Sequence, residues 1–172
     1  EDVARMSRLV EQLLQVAALE ALTVQPTEQT DLSALALEVA EAMAPVALAR
    51  KRDIAVAGAS LPVRVHGIHD SLHQALRNLV ENALSHTGEG TTVEISVQSQ
   101  PPALTVSDQG PGVPAADRDK LFERFWRADR SGTRGAGLGL ATVQRITAAH
   151  GARIEVGDAA GGGAKFTILF AG

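Results

Sequence analysis

Apolar residues recur with two periods along the chain and divide it into predicted helices and strands. The first stretch, 1–22, has apolar residues at alternating spacings of three and four, which is typical of the seam of a helical bundle. The seam positions are Val3, Met6, Val10, Leu13 and Ala17. A helix this apolar on one side packs either on its own domain or in a bundle with a second chain, and we favour the bundle.

Pro26 and the polar stretch 25–30 interrupt this pattern and predict a linker, after which Asp31 is placed to cap a new helix. Helical spacing predicts helices over about 32–50, 69–87 and 138–150. Alternating or short apolar runs predict strands near 53–57, 63–66, 92–97, 104–106, 153–156 and 165–170. Strands with helices on one side predict a two-layer α/β sandwich.

Composition restricts the class of protein. The 172 residues carry a net charge of −4, which argues against nucleic acid as a partner. The absence of cysteine excludes disulfides and thiolate metal sites. No apolar run approaches the roughly 20 residues of a membrane span, and no signal peptide is found. Because the chain begins within a helix at Glu1, without an initiator Met, we expect it to be a fragment of a longer protein.

Three polar residues form a ridge along the predicted helix 69–87. Asn78, Asn82 and His86 follow one another at intervals of four and border the apolar face, where they can face a cleft. The amide oxygen of asparagine is a neutral, hard ligand suited to Mg²⁺ beside phosphate oxygens. Two asparagines at a helix edge are also common as solvent-facing or capping residues, so the ridge alone decides nothing.

Two glycine-rich segments are the other candidate binding elements. Asp108 ends a strand and precedes Gly110 and Gly112, so its carboxylate can accept from an exocyclic amine while the glycines admit a flat ring; an ordinary Asp/Gly turn is the alternative. The segment 135–140 opens a helix, where free N–H groups and the helix dipole favour an anion. Neither the P-loop nor the dinucleotide pattern is present in it.

A long loop, 109–136, joins these segments and carries aromatic residues and several arginines. Loops of this length in a small domain are usually functional. Its stretch 121–127, followed by Arg130 and Arg134, suits a lid that closes over a charged ligand. The alternative is a surface loop whose aromatic side chains fill part of the core.

Taken in order, these segments resemble the nucleotide-binding motifs of sensor histidine kinases. Asn78–Ala83 resembles the N box, Asp108–Gly112 the first glycine box, Phe122–Phe125 the F box, Gly135–Leu140 the second glycine box and, more weakly, Gly161–Phe166 a third. The resemblance implies a Bergerat ATP-binding fold, a mixed sheet with helices on one face and ATP between the helices and the lid. It also implies two parts: 1–25, similar to the second helix of the dimerisation and phosphoacceptor domain, and 26–172, the catalytic domain.

The resemblance also implies residue roles. Asp108 would hold the adenine amine, Asn82 would ligate Mg²⁺, and Asn78 and Arg127 would act near the transferred phosphoryl group. The full set of implied ATP-site residues is Asn78, Asn82, His86, Asp108, Gly110, Gly112, Phe125, Arg127, Gly135, Gly137, Leu138, Gly139 and Leu140.

Three residues depart from the family pattern, and the mildest departure is His86, which stands where Tyr or His is usual. Ser85 occupies a position where a basic residue is common, so we expect an arginine of the lid to supply charge instead. Ala164 replaces a frequent threonine. The phosphoacceptor histidine is absent: His69 opens the ATP-site helix, and His66, His73 and His150 are expected to be incidental surface or packing residues, so the acceptor is expected upstream of Glu1.

The implied function is transfer of the ATP γ-phosphoryl group to a histidine and then to an aspartate of a response regulator. The implied partners are ATP, the protein's own dimerisation domain, a second copy and the regulator, with the domain on the cytoplasmic side of a bacterial inner membrane. Two alternatives are an ATP-hydrolysing relative, like gyrase or chaperone ATPases, and an ATP-sensing module without catalysis. Asn78 disfavours hydrolysis, because water-activating relatives carry Glu there and an amide is no general base.

Overall fold

The computed structural model describes 27–123 and 138–171, together with five positions of an N-terminal helix. Those five positions are Met6, Val10, Leu13, Leu14 and Ala17. All five are helical and exposed, and the exposed fraction of Met6 reaches 65%. The described part of the predicted seam therefore lies on the surface of this chain.

After the first strand, each of the three described α-helices is followed by two strands. In chain order they are β1 (Gln29–Asp31), α1 (Leu32–Ala49), β2 (Asp53–Ala57), β3 (Arg64–His66), α2 (His69–His86), β4 (Thr92–Ser99), β5 (Pro102–Ser107), α3 (Gly139–Ala149), β6 (Arg153–Asp158) and β7 (Ala164–Leu169). Two one-turn 3₁₀ helices, Ala115–Asp117 and Lys120–Phe122, lie in the long loop. The three helices and six strands predicted from the pattern in this part of the chain are confirmed, with small shifts at their ends.

One strand was not predicted. β1 lies where the polar stretch predicts only a linker, and it pairs antiparallel with β3, with Thr30 opposite Val65. Three residues are too few to show an alternation, and the pairing partner is distant in sequence. The strand places Asp31 so that its Oδ1 accepts from Ser33 N at 2.9 Å and Val63 N at 3.0 Å, which confirms the predicted helix cap.

The main sheet is mixed, as the resemblance implies. Its five described strands run in the order β2-β4-β5-β7-β6, with β2 parallel to β4 and the remaining pairs antiparallel. Along β4, Val93, Ile95 and Val97 are buried, whereas Glu94 and Gln98 on the opposite face are exposed. The buried face meets the helices in a single core, so the fold is the predicted two-layer sandwich.

α1 supplies a large part of that core. Leu32, Leu35, Val39 and Met43 are at most 2% exposed. The helix has 18 residues and a mean hydropathy of 1.6, so by length and composition alone it also meets the criteria for a membrane span. The sequence alone predicts no membrane span, because no apolar run in the chain approaches the roughly 20 residues that a span needs. Since its apolar stripe packs on the sheet and on α2, we interpret α1 as a core helix.

The start of α2 is held by the end of α3 through His150. Its Nδ1–H donates to Ile146 O at 2.7 Å, so its Nε2 is the acceptor, and Ile68 N–H donates to that nitrogen at 3.0 Å. Ile68 is the N-cap of α2 and has no side-chain cap of its own. His150, expected to be incidental, therefore joins two helices that border the candidate site.

Replacing His150 with alanine is expected to lower the free energy of unfolding by about 1–3 kcal/mol, because the Ile68 N–H loses its acceptor at a partly buried helix end. Urea denaturation measures the change. His66→Ala, an exposed histidine on β3, is the matched control and is expected to change stability little. Equal stability of His150→Ala and the parent chain would show that water replaces the imidazole at no cost.

Candidate functional site

The polar ridge predicted on α2 is present. Asn78 and Asn82 are half-buried and His86 is exposed at the last turn, where its Nδ1–H donates to Asn82 O at 2.8 Å. The core-facing residues on the other side are Leu72, Ala75, Leu76, Leu79, Val80, Ala83 and Leu84. Because these positions anchor the helix to the sheet, the ridge is fixed along its border with solvent.

The beginning of α3 lies beside the ridge. Asn78 Nδ2 donates to Gly139 O at 3.4 Å. Leu138, the N-cap, is 5% exposed, Leu140 is half-buried, and no side chain caps this helix end. The first intrahelical bond runs from Thr142 N to Leu138 O, which leaves the N–H groups of the first turn without helical partners. Gly139 is exposed, and a Cβ there would meet nothing within 4 Å, so core packing does not require this glycine.

The other boundary of the ridge is the turn after β5. A Cβ on Gly110 would lie 2.4 Å from His86 O, so the turn packs backbone against backbone on the end of α2. Side chains larger than hydrogen cannot occupy that position without moving one of the two segments. The described structure therefore brings together the ridge, the Asp108 turn and the first residue of α3, as the order of the motifs predicts.

Asp108 is buried, and one oxygen of its carboxylate accepts hydrogen bonds from the protein backbone. Its side chain is 4% exposed, and Oδ1 accepts from Gly110 N at 2.8 Å and Ala164 N at 3.1 Å. Its backbone N–H donates to Ala164 O at 3.0 Å, which continues the pairing of β5 with β7. Oδ2 has no hydrogen-bond partner among the described residues. One oxygen orients the carboxylate and the other is available to a ligand.

The support of Asp108 by the hairpin between β6 and β7 was not predicted. Gly163 has φ +90°, and a Cβ there would lie 2.0 Å from Asp108 O and 2.8 Å from its Oδ1. Gly112 has φ +76°, and a Cβ added to it would lie 3.3 Å from Gly163 O. The sequence feature that could have indicated this support is the run Gly161–Gly163 directly before a strand. In the sequence this run resembles a third glycine box only weakly.

The first part of the long loop is anchored. Arg118 Nε donates to Val113 O at 3.2 Å, and its Nη2 forms a 2.7 Å salt bridge with Asp158 on β6. Phe122 is half-buried against the core. The remaining predicted contacts from the loop lie outside the described residues: Phe125, Arg127, Arg130, Arg134, Gly135 and Gly137.

His69 lies far from the predicted metal ligand on the same helix. It is the first residue of α2, and thirteen residues at about 1.5 Å each place it roughly 20 Å along the axis from Asn82. Its Nε2 lies 2.9 Å from Glu38 Oε2, on the α1 side. That His69 is not a phosphoacceptor stays a prediction.

Comparison with known proteins gives concordant matches. A family model described as "Histidine kinase-, DNA gyrase B-, and HSP90-like ATPase" matches residues 67–171. The "Probable sensor histidine kinase TcrY" of Mycobacterium tuberculosis is 39% identical over 176 residues, covering 93% of this chain and 34% of that protein. The "Sensor histidine kinase RppB" of Synechocystis sp. is 34% identical over 170 residues, covering 95% of this chain and 37% of that protein.

A solved structure extends the likeness to the fold. Full-length ShkA in complex with AMPPNP superposes with a TM-score of 0.79 at 32% identity, covering 97% of this chain and 36% of that one. The chain spans about a third of the length of the curated relatives it matches. The matched family range contains the ridge, the Asp108 turn and the start of α3. The chain belongs to the histidine kinase-, DNA gyrase B- and HSP90-like ATPases and, within them, to the sensor histidine kinases, whose ATP-binding domain it carries.

Proposed function

We propose that this chain binds Mg-ATP between the ridge of α2, the Asp108 turn and the start of α3, and presents the γ-phosphoryl group to a histidine of the dimerisation domain. The observation that carries the proposal is Asp108, a buried carboxylate with one oxygen held by two backbone N–H groups and no described partner for the other. Its neighbours, Gly110 and Gly163, leave no room for side chains around it.

The adenine end of the site is Asp108 and its glycines. Oδ2, which has no partner among the described residues, accepts a hydrogen bond from the exocyclic amine, while the bare backbone at Gly110 and Gly112 admits the flat ring. The ShkA structure holds AMPPNP, an analogue of ATP, on a fold that superposes on this chain, and this supports a nucleotide as the ligand.

The phosphate end is Asn78, Asn82 and the first turn of α3. The residues fit a magnesium ion: Asn82 is half-buried on the cleft side, and its amide makes no hydrogen bond with a described residue, so its oxygen is available. Mg²⁺, when bound, neutralises charge on the phosphate oxygens. Asn78, hydrogen-bonded to Gly139 O, positions the uncapped helix end whose N–H groups receive phosphate oxygens.

The chemistry is positioning and charge neutralisation, as in phosphoryl transfer generally. Asn78 is no general base, so the domain does not activate water, and the proton of the attacking imidazole is accepted outside this chain. This favours a kinase over a hydrolysing relative. We also propose the contacts predicted for Phe125, Arg127, Gly135 and Gly137, with Arg127 at the γ-phosphate.

The same proposal covers the domains, partners and location of the parent protein. Residues 1–25 are the second helix of the dimerisation domain and 26–172 the catalytic domain, in a homodimer whose catalytic domains are cytoplasmic and whose parent protein is anchored in the bacterial inner membrane. The phosphorylated histidine then passes its phosphoryl group to an aspartate of a response regulator. The exposed apolar positions of the N-terminal helix support the dimer.

Asn82→Ala tests the metal assignment. Affinity for Mg-ATP is expected to fall by at least about tenfold, because a direct ligand is lost, while affinity for ATP in EDTA changes little. Isothermal titration calorimetry with and without Mg²⁺ separates the two. Gln144→Ala, an exposed carboxamide on α3, is the matched control. A loss of the same size with and without Mg²⁺ would contradict the assignment of Asn82 as a metal ligand.

A further inference from the structure

A cation without a described acidic partner lies beside the ridge. Arg50 follows α1 as its C-cap residue, and its Nη1 donates to Ser85 Oγ at 3.3 Å. The Ser85 hydroxyl donates in turn to Glu81 O at 2.8 Å, which fixes the oxygen lone pair that receives the guanidinium. A neutral group therefore holds the positive charge against α2.

Some cations of the described chain form ion pairs with carboxylates, whereas Arg50 forms none within the described residues. Lys51 pairs with Glu89, Arg118 with Asp158 and Arg153 with Glu155. Arg50 forms no ion pair with a described residue and is half-buried. A guanidinium has five N–H donors in a planar fork, and the contact with Ser85 occupies one of them. Most of its hydrogen-bonding capacity remains for an anion.

Ser85 places this cation beside the ridge, at a level along the helix between Asn82 and His86. At about 100° per residue, Ser85 lies roughly 60° around the helix from Asn82 and one turn further along. The described ridge itself carries two neutral amides and a histidine, whereas a triphosphate is strongly anionic. An arginine is well suited to phosphate because its fork can donate two parallel hydrogen bonds.

The backbone around Arg50 is fixed by hydrogen bonds to residues that follow α2. Gly90 N donates to Lys51 O at 2.7 Å, Arg52 Nε donates to Gly88 O at 3.2 Å, and Asp53 N donates to Thr91 O at 2.9 Å. These bonds attach the segment to the turn that follows α2. The guanidinium is therefore in place before a nucleotide arrives, which reduces the entropy lost on binding.

We propose that Arg50 is a phosphate-binding residue of the ATP site, with its guanidinium donating to non-bridging oxygens of the triphosphate beside Asn82. Ser85 is its positioning residue. Arg50 supplies positive charge beside Ser85 in addition to the arginine proposed from the lid, and this inference rests on the proposed binding of ATP in this cleft.

The test compares Arg50→Gln, Arg50→Lys and Arg52→Gln for binding of Mg-ATP and of adenosine. Arg52 is the matched control, because it has the same charge two residues away but donates to Gly88 O. Arg50→Gln is expected to weaken Mg-ATP by about tenfold and to leave adenosine unchanged, since only the triphosphate loses a charge-assisted bond. Arg50→Lys is expected to lose less, and Arg52→Gln to change Mg-ATP affinity by less than about threefold.

The outcomes separate this inference from the proposed function. Parent-like Mg-ATP affinity in Arg50→Gln overturns the inference and leaves the ATP site standing. Equal losses for Mg-ATP and adenosine, or equal losses in Arg50→Gln and Arg52→Gln, also overturn it, because they indicate a structural or general charge effect. Failure of the parent chain to bind Mg-ATP overturns the proposed function and this inference together.

Discussion

Gly163→Ala is expected to destabilise the chain by at least about 3 kcal/mol and to abolish measurable ATP binding in whatever fraction folds. The added methyl group would lie 2.0 Å from Asp108 O and 2.8 Å from Asp108 Oδ1. Both atoms belong to the turn that orients the proposed adenine acceptor, so the collision cannot be relieved by rotating a distant side chain. Urea denaturation measures the first effect and calorimetric titration with ATP the second.

Gly162→Ala is the control that the chain itself provides. Gly162 has φ +96°, close to the +90° of Gly163, but a Cβ there would meet nothing within 4 Å. It therefore carries the backbone strain without the collision, and we expect a loss of about 1–2 kcal/mol with ATP binding retained. Similar stability of the two variants would mean that the hairpin moves away from Asp108 at little cost.

Asp108→Asn is expected to reverse the preference of the site between two purine bases. Gly110 N and Ala164 N both donate to Oδ1, so the remaining oxygen of the amide is held there and its NH₂ group takes the place of Oδ2. A donor then faces the adenine amine, whereas it matches the carbonyl of hypoxanthine. We expect the ratio of ATP to ITP affinity to fall by on the order of 100-fold, with ITP binding gaining in absolute terms.

Competition of ATP and ITP for a fluorescent nucleotide measures this ratio. Asp53→Asn, the same change on an exposed residue of β2, is the matched control and should leave the ratio as in the parent chain. An unchanged ratio in Asp108→Asn, with ATP still bound, would contradict the role of Asp108 in selecting the base.

The fold was predictable wherever a segment is long enough to show its own period. α1 and α2 place apolar residues at helical spacing over five turns, and β4 alternates over eight residues, so the sequence pattern alone locates them. β1 was missed because three polar residues have no period and depend on β3, which is distant in sequence. The resemblance to a family implied that the sheet is mixed, but the order of its strands was not predicted, since periodicity within one element does not specify its neighbour.

The candidate site was predictable at positions where the type of residue by itself indicates a binding role. An Asp followed by glycines, and asparagines four apart on a helix, are visible in the sequence, and the structure brings these segments together. Gly163, Ala164 and Arg50, whose contacts with Asp108 and Ser85 the structure shows, were not visible as candidates in the sequence. They act through backbone atoms or through a contact between residues 35 positions apart, and neither leaves a local pattern.

We propose that this chain binds ATP and delivers its γ-phosphoryl group to a histidine of the dimerisation domain that the chain does not contain. The most direct measurement is incubation with γ-labelled Mg-ATP, alone and with a fragment of the parent protein that carries the complete dimerisation hairpin, followed by acid and base treatment of the separated products. We expect acid-labile label on the added hairpin and none on this chain in either reaction. Acid-labile label on this chain alone, or release of labelled phosphate with an unlabelled hairpin, would contradict it.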